Sequence, residues 1–345
     1  MSYDREDFSS REYIIPYNNF KINFYEKHGL LNRVCKGSGT DADYGKCPYC
    51  GGTGVLCHTF WLGDKPVNEH VCGNCYVQQT KGDNVIYKIA IDADSLIYKS
   101  LYRHQDIWES NKNQALENSY AEFCGEIAKI KGAVFNGPHT YQYKDEVKAI
   151  IALSPSKSFR HDIYPEYKAN RLGKPTVVQG IKELKDIVRL RLKPVVYEKP
   201  KIEADDLVIY LAINKGYMVA AIDKDVLNAC PTSAYNYNKF TWQDGRTNAE
   251  IEKWYLMQTL MGDKDDNIKG VAGIGEKGAF NIVHGLQPEQ RNVTLSFEQL
   301  NYICTFDEIV KWFDSEYDAI LNHMLVRMDQ FDGKEIKLWQ RPKEL

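Results

Sequence analysis

Residues 84–91 read NVIYKIAI, a β-branched apolar run that ends at Asp92. Three further short runs have the same character: VKAIIAL at 147–153, KPVVYE at 193–198 and YMVAAI at 217–222. Each run is nearly continuously apolar, as strands covered on both faces must be. Helix-like sequence separates each run from the next, as in βαβ units. The pattern therefore predicts an α/β domain built on a mostly parallel sheet.

The bulk composition limits the class of protein. The 345 residues are 43% hydrophobic, which is enough for a sizeable core and for two domains with a small appended one. The net charge of -3 means that any nucleic-acid contact must come from local basic patches. Residues 1–20 are charged and lack the apolar core of a signal peptide, and no apolar run approaches the length of a membrane span. We therefore expect a cytoplasmic protein that does not bind membranes.

The texture of the sequence predicts three parts: residues 1–82, 83–246 and 247–345. The first part holds six of the nine cysteines and shows little periodicity. The third part opens on TNAE at 247–250, a capping box with Thr247 as the helix N-cap. The helix that follows should end at Gly262, since glycine is favoured just past a helix end.

The cysteine-rich part contains two C-x-x-C motifs, CPYC at 47–50 and CGNC at 72–75. Paired motifs of this kind in a reducing compartment predict one structural Zn²⁺ in a zinc-ribbon-like module. The predicted ligands are Cys47, Cys50, Cys72 and Cys75. Substitute ligands are Cys35, Cys57, His58 and His70, of which His70 is better explained as a surface residue. A redox role is less favoured because no thioredoxin-like unit surrounds either motif. The module could bind DNA, bind a replication protein or brace the rest of the chain.

Acidic residues gather where the predicted strands and helices end. Ligands bind beyond the carboxyl ends of strands in open α/β sheets. The acids in question are Asp92, Asp94, Glu203, Asp205, Asp206, Asp223, Asp225, Asp263, Asp265 and Asp266. One such cluster alone would read as a solvated loop or as helix-start acids favoured by the dipole. Four clusters, three of them at ends that should converge, instead indicate Mg²⁺ or Mn²⁺, and two such ions close together serve phosphodiester hydrolysis.

An ordered set of motifs between about residue 85 and residue 330 resembles the 5′-nucleases: flap endonucleases, bacteriophage 5′-exonucleases and the 5′-nuclease domain of bacterial DNA polymerase I. The motifs read IDADSLIY, YPEYKANR, IEADD, IDKD and MGDKDDNIKGVAGIGEKGA. The resemblance, strongest to the bacteriophage enzymes, implies a PIN-like sheet with a helix–hairpin–helix subdomain and two bound metal ions. It implies a first metal site at Asp92, Glu203, Asp205 and Asp206, and a second at Asp223, Asp225, Asp263 and Asp266. Asp94 and Asp265 have no assigned role, and Ser154 stands nearest to a position where the family often has aspartate.

A basic segment at 154–175 carries Lys157, Arg160, Lys168, Arg171 and Lys174, interleaved with Tyr164 and Tyr167. The commoner fate of such a segment is a solvated basic helix. If PEYKANR is helical, Lys168 and Arg171 share a face. The resemblance implies that these two cations grip the scissile phosphate as catalytic residues, that Tyr167 stacks on a terminal base and that Arg160 assists in DNA binding.

The stretch GVAGIGEKGA resembles the helix–hairpin–helix element of the same family. The resemblance implies that Gly273 and Gly275 let backbone N–H groups approach a duplex phosphate, that Lys277 adds charge and that K⁺ is a candidate ion there. A glycine-rich turn between two core helices is the plainer interpretation, and the two are compatible.

Together these features predict a Mg²⁺-dependent 5′-3′ exonuclease or flap endonuclease that cleaves DNA by in-line attack of water, leaving a 5′-phosphate. We expect a monomer acting on double-stranded DNA with 5′ ends, flaps or nicks, with an RNA–DNA hybrid as a second substrate class and with unidentified replication proteins as partners. A bacteriophage origin would place it in the host cytoplasm. Two alternatives stay open: a non-catalytic DNA-structure-binding protein of the same fold, and a PIN-type ribonuclease.

Overall fold

The computed structural model describes residues 86–135, 146–171, 178–290, 294–302 and 304–342, and only four strands before them. The chain divides into two compact units, residues 1–87 with 131–148 and residues 88–130 with 149–345. The first unit contains two antiparallel strand pairs: β1 (Thr40–Asp41) with β2 (Gly45–Lys46), and β3 (Cys57–Leu62) with β4 (Lys65–Cys72). The side chains of the cysteines predicted to bind zinc lie outside the described residues, so the zinc site stays a prediction.

Most of a six-stranded sheet belongs to the second unit. The strands of the sheet are β5 (Ile86–Asp92), β6 (Glu146–Ala152), β7 (Val196–Tyr197), β8 (Met218–Ala221), β9 (Ala234–Asn236) and β10 (Thr241–Gln243). They lie in the order β10-β9-β8-β5-β6-β7. Within this sheet, the described pairs β5–β8, β6–β7 and β8–β9 are parallel, and the described pair β10–β9 is antiparallel. The prediction of a mostly parallel sheet is confirmed, and all four predicted strands are present.

Helices flank this sheet and continue beyond it. They are α1 (Asp94–Tyr102), α2 (Lys112–Phe135), α3 (Phe159–Ile163), α4 (Ile181–Arg191), α5 (Ala204–Lys215), α6 (Lys224–Ala229), α7 (Asn248–Met261), α8 (Glu276–Val283), α9 (Phe297–Leu300), α10 (Phe306–Val310) and α11 (Glu316–Val326). A hairpin of two short strands, β11 (Gly262–Asp263) and β12 (Ile268–Lys269), separates α7 from α8. In the described residues, no helix is both long enough and apolar enough to cross a membrane.

Burial explains why the strand sequences are apolar on both faces. In β5, Ile89, Ala90 and Ile91 are fully buried, and in β8 Val219 and Ala220 are as well. Strands with helices on both sides have no solvent face, so they lack the polar alternation of a half-exposed sheet. The central strands therefore hold their ends in fixed positions.

The residues after position 246 pack around α7. The side chains of Leu256 and Leu260 on this helix join a buried cluster with Ala279, Val283 and Ile309. The capping box is confirmed: the Thr247 hydroxyl accepts a hydrogen bond from the Glu250 N–H, and the Glu250 carboxylate accepts one from the Thr247 N–H at 2.8 Å. Gly262 ends α7 with φ 64° and ψ -169°, as the sequence predicts. The three-part division itself stays a prediction.

Candidate active site

The carboxyl edge of the sheet opens into an acidic cleft of about 1380 Å³. β5 ends at Asp92, and the parallel neighbouring strand β8 ends two residues before Asp223, so both acids lie at the same edge. The acids that line the cleft are Asp92, Asp94, Asp205, Asp223, Asp225, Asp263, Asp265, Asp266 and Glu276. The structure thus brings together eight of the ten acids that the sequence singles out, and Glu203 and Asp206 do not line the cleft.

Three of these acids have defined places in the backbone of helices and strands. Asp223 is the N-cap of α6, where its carboxylate accepts the Asp225 N–H at 2.8 Å. Asp263 lies in β11 and accepts the Asp265 N–H at 2.7 Å. Asp205 lies in the first turn of α5. Acids at helix starts are stabilised by the positive end of the helix dipole, which partly offsets their mutual repulsion.

A first group of cleft acids has no cationic partner. In the part of the chain that the structure describes, no ion pair involves Asp92, Asp205, Asp223, Asp225 or Asp263. Burial, reinforced by the charge of Asp94, raises the pKa of Asp92 to about 7. Burial and the charges of Asp223 and Asp263 likewise raise the pKa of Asp225 to about 7.

The same excess of negative charge acts on two further members of this group, Asp205 and Asp263. Burial, followed by the charges of Asp92 and Asp223, raises the pKa of Asp205 well above its ordinary value. Burial and the charge of Asp266 raise the pKa of Asp263. Burial and mutual repulsion make these carboxyl groups resist ionisation. A bound cation would stabilise their ionised forms, so they are a candidate cation site.

The donor chemistry of this group fits a hard divalent cation. Carboxylate oxygens are the ligands that Mg²⁺ and Mn²⁺ prefer. A small cavity of about 30 Å³ beside the cleft is lined by Glu203, Asp205, Asp225, Asp263 and Asp266, among others, and has room for an ion or a water molecule. Across the described residues, no three His, Cys, Asp or Glu side chains converge closely enough to form a ready-made cage. Binding an ion therefore requires the side chains to turn inward.

A second group of acids already has cationic partners from the protein. Arg160 contacts Asp206 through two nitrogens, at 2.7 and 2.8 Å, and Glu203 at 3.2 Å. The Lys168 ammonium lies 2.7 Å from the Glu203 carboxylate and 3.6 Å from that of Asp266. Arg171 donates to Asp266 at 2.6 Å. Although burial opposes ionisation, Arg160 and Lys168 hold the pKa of Glu203 at about 2.

The segment PEYKANR is not a regular helix, so the condition under which Lys168 and Arg171 would share a helix face is not met. Lys168 adopts a left-handed backbone with φ 57°, which interrupts helical hydrogen bonding, and only Ala169–Arg171 form a short 3-10 helix. The Lys168 N–H donates to the Asp266 carbonyl at 2.9 Å. Lys168 and Arg171 nevertheless line the cleft together, because both side chains converge on Asp266.

Two residues that the sequence analysis assigns to DNA are enclosed by the protein. Arg160 and Tyr167 are each 3% exposed. The Tyr167 hydroxyl donates to Asp266 at 2.7 Å and contacts Glu203 at 2.9 Å. In this conformation both side chains link acidic groups of the protein and present no surface to a base or a phosphate.

Ser154 takes part in a polar contact that the sequence analysis missed. Its hydroxyl accepts the Ala204 N–H at 2.9 Å and so satisfies a free donor at the start of α5. Its carbonyl accepts from the ammonium of Lys185 on α4 at 3.0 Å, and the same ammonium lies 2.7 Å from Asp94. A lysine in an ordinary amphipathic helix carries no sequence signal for this position.

The glycine segment leaves open space along the cleft. Gly273 has φ 79°, and Gly275 is the N-cap of α8, with Lys277 exposed in its first turn. A Cβ atom built on Gly273 or Gly275 meets no described atom within 4 Å. Both glycines line the cleft, so their backbone is accessible from the side on which the acids lie.

Comparison with known proteins gives a family match over part of the chain. The family model described as "5′-3′ exonuclease, N-terminal resolvase-like domain" matches residues 88–255. The 5′-3′ exonuclease of Aquifex aeolicus is 34% identical over 147 residues, covering 39% of this chain and 50% of that protein. The thermostable DNA polymerase I of Thermus caldophilus is 33% identical over 160 residues, covering 41% of this chain and 18% of that protein. The chain thus spans half the length of the first relative and less than a fifth of the second.

Among solved structures, the bacteriophage T5 flap endonuclease in a pseudo-enzyme–product complex with DNA and metal ions aligns with a TM-score of 0.48 and 20% identity. The alignment covers 70% of this chain and 89% of that chain.

Proposed function

We propose that this chain, whose residues 88–255 match the family model of the 5′-3′ exonucleases, is a divalent-metal-dependent 5′-3′ exonuclease or flap endonuclease that hydrolyses phosphodiester bonds in DNA. The observation that carries the proposal is the group of five cleft acids without cationic partners, with Lys168 and Arg171 beside them. The pairing of unsatisfied acids with adjacent cations suits a metal ion on one side and a phosphate on the other.

The residues that would hold Mg²⁺ or Mn²⁺ are Asp92, Asp205, Asp223, Asp225 and Asp263. When bound, such ions polarise the phosphate and lower the pKa of water, which is the chemistry that phosphodiester hydrolysis needs. Neutralising the crowded acids also removes the repulsion that would otherwise meet an incoming phosphate. Glu203, buried behind the cleft, and Asp266, on its lining, orient the neighbouring cations.

Lys168 and Arg171 are the groups of the protein that meet the scissile phosphate. Although burial opposes it, Glu203 and Asp266 raise the pKa of Lys168, so its ammonium stays charged at neutral pH. In the described conformation both cations contact carboxylates, and a phosphate would replace part of those contacts. They therefore arrive at the substrate already charged and close to their final positions, which lowers the cost of reorganisation during the reaction.

The duplex lies, in this proposal, against the glycine segment. The N–H groups near Gly273 and Gly275 and the ammonium of Lys277 bind a backbone phosphate, with K⁺ as a further candidate ion, and α7 and α8 form the two arms of a helix–hairpin–helix subdomain. The substrates are double-stranded DNA with 5′ ends, flaps or nicks, and RNA–DNA hybrids, met during replication or recombination. The zinc module of residues 1–82 would bind DNA or a replication protein.

A second candidate is a DNA-structure-binding protein that has lost catalysis. The observation in its favour is Ser154, which stands near a position where a carboxylate is expected, with the Lys185 ammonium bound at the same edge. A cation fixed there competes with a metal ion for Asp94.

A cleavage assay separates the two candidates. Labelled flap, nicked, blunt and RNA–DNA hybrid substrates are incubated with the full chain in Mg²⁺, with EDTA and with the Asp223→Asn variant as controls. We expect Mg²⁺-dependent release of 5′ products that Asp223→Asn abolishes. Binding of the same substrates in Ca²⁺ without cleavage in Mg²⁺ or Mn²⁺ would favour the non-catalytic candidate.

A further inference from the structure

The Arg160 guanidinium uses all of its donors inside the protein. It contacts Glu203 and both carboxylate oxygens of Asp206. Its remaining hydrogen bonds go to the backbone carbonyls of Leu325 and Arg327, each at 2.7 Å. Although burial opposes it, Asp206 raises the pKa of Arg160 well above its ordinary value, so the charge is retained. A guanidinium with every N–H occupied has no donor left for DNA.

Both carboxylate oxygens of Asp206 accept hydrogen bonds from Arg160. Asp206 is 1% exposed, and the same oxygen that faces one guanidinium nitrogen also accepts the Glu203 N–H at 3.2 Å. This second contact is half of a capping box that starts α5. Asp206 does not line the cleft, whereas its neighbour Asp205 does. The two side chains leave the helix about 100° apart, so fixing one inward fixes the direction of the other.

We propose that Arg160 is a positioning residue and that Asp206 is its counter-ion and not a metal ligand. Arg160 anchors the first turn of α5 so that Asp205 faces the cleft. The inference rests on the proposed function, because it assigns a role within that active site. It also separates two adjacent acids that sequence spacing alone treats as equivalent.

Glu203 extends this anchor to the phosphate side of the site. One of its carboxylate oxygens contacts Arg160 and the Tyr167 hydroxyl, and the other accepts from Lys168 at 2.7 Å. A shift of the guanidinium therefore displaces both Asp205 and Lys168. Because the anchor is buried and ionic, removing one partner leaves an uncompensated charge and is costly.

The test compares Mn²⁺ binding by calorimetry, without DNA, in the wild type, Asp205→Asn and Asp206→Asn. We expect Asp205→Asn to weaken Mn²⁺ binding by about a hundredfold or more, and Asp206→Asn to keep the wild-type stoichiometry with an affinity lowered only about tenfold, as suits loss of an outer support. The matched control is Asp162→Asn. Asp162 is an exposed acid two residues after Arg160 that pairs with Lys201, and its substitution should leave Mn²⁺ binding unchanged.

A double-mutant cycle gives the second measurement. Arg160→Lys, Asp206→Asn and their combination are compared by single-turnover cleavage at saturating DNA and by urea unfolding. We expect each single variant to lower the cleavage rate by about tenfold or more with little change in KM, and the double variant to be no slower than the worse single one, since both remove one interaction. If Arg160→Lys fails to fold, the Mn²⁺ comparison of Asp205→Asn with Asp206→Asn still decides.

Two results would overturn the inference. One is that Asp206→Asn loses Mn²⁺ as strongly as Asp205→Asn, and the other is that the rate effects in the cycle multiply. If the wild type cleaves no substrate, the proposed nuclease function fails, while the calorimetric comparison still reports whether Asp206 binds metal.

Discussion

Gly262 offers a test of the structure that does not depend on the reaction. It joins α7 to β11 with φ 64° and ψ -169°, a region of backbone space that is essentially restricted to glycine. A Cβ atom added there would lie 2.3 Å from the Gly270 nitrogen and 2.4 Å from the Ile268 carbonyl oxygen. Because both obstacles are backbone atoms, no side chain can move aside to accommodate it.

The magnitude of the Gly262→Ala effect follows from these two costs. Strained backbone at such a position costs about 1 to 3 kcal/mol, and overpacking costs about 1 to 3 kcal/mol. The variant should therefore lose roughly 2 to 6 kcal/mol of unfolding free energy, a large share of the stability of an ordinary domain. The displaced turn carries Asp263, so cleavage should fall as well.

The assay is urea unfolding followed by tryptophan fluorescence, with Gly125→Ala as the matched control. Gly125 lies in α2, and a Cβ atom there meets nothing within 4 Å. The control should gain about 0.5 to 1 kcal/mol, since alanine is the better helix former. A Gly262→Ala variant that unfolds within about 1 kcal/mol of the wild type would refute the reasoning, because the turn would then relax without strain.

Three further outcomes are expected. Lys168→Ala should lower the single-turnover cleavage rate far more than the affinity for duplex DNA. Lys277→Ala should weaken duplex binding and its salt dependence, and should leave the cleavage rate at saturating DNA nearly unchanged. Equal losses of rate and affinity in both variants would make these lysines part of a general basic surface. Without metal, in EDTA, the pKa values of Asp92 and Asp225 are raised from 3.8 to about 7 in the folded chain. Between these values the folded chain binds protons that the unfolded chain has released. The contribution of these two groups to the unfolding free energy therefore falls as the pH rises from about 4 to about 7. Urea unfolding at pH 5 and pH 8 should show this fall in the unfolding free energy, and the fall should be smaller in Asp92→Asn. If Asp92→Asn leaves the difference between the two pH values unchanged, the pKa shift of Asp92 is contradicted. Purified protein should contain about one zinc per chain, lost in Cys72→Ser, and zinc-free protein purified without chelators would contradict the zinc prediction.

The features that the sequence reveals are local ones. Four strands show as apolar runs, of which β5 and β8 are the most fully buried, and the ends of α7 show as a capping box and a glycine. The gathering of acids at one edge follows from the same pattern, since parallel strands end together. The strands β9 and β10 have only three residues each, too few for an apolar run to stand out.

The partners of charged side chains were beyond sequence reasoning. Arg160 and Asp206 are 46 positions apart, and Lys185 shows nothing in its helix that marks it for Ser154. YKANR is not a regular helix, and its Lys168 N–H donates to the Asp266 carbonyl, a distant partner that local helix propensity does not reveal. The positive charge of this segment indicated that it binds an anion. Long-range packing determines that its cations pair with Glu203 and Asp266.

The hydrogen bonds from Arg160 to the carbonyls of Leu325 and Arg327 have a consequence for biosynthesis. These acceptors lie 165 and 167 positions later in the chain than the guanidinium that they receive. A ribosome-bound chain that has not reached residue 325 therefore leaves the arginine without two of its acceptors, and the first turn of α5 without its full anchor. The acidic edge becomes rigid only late in translation, so truncated products would carry the sequence motifs of the site without its geometry.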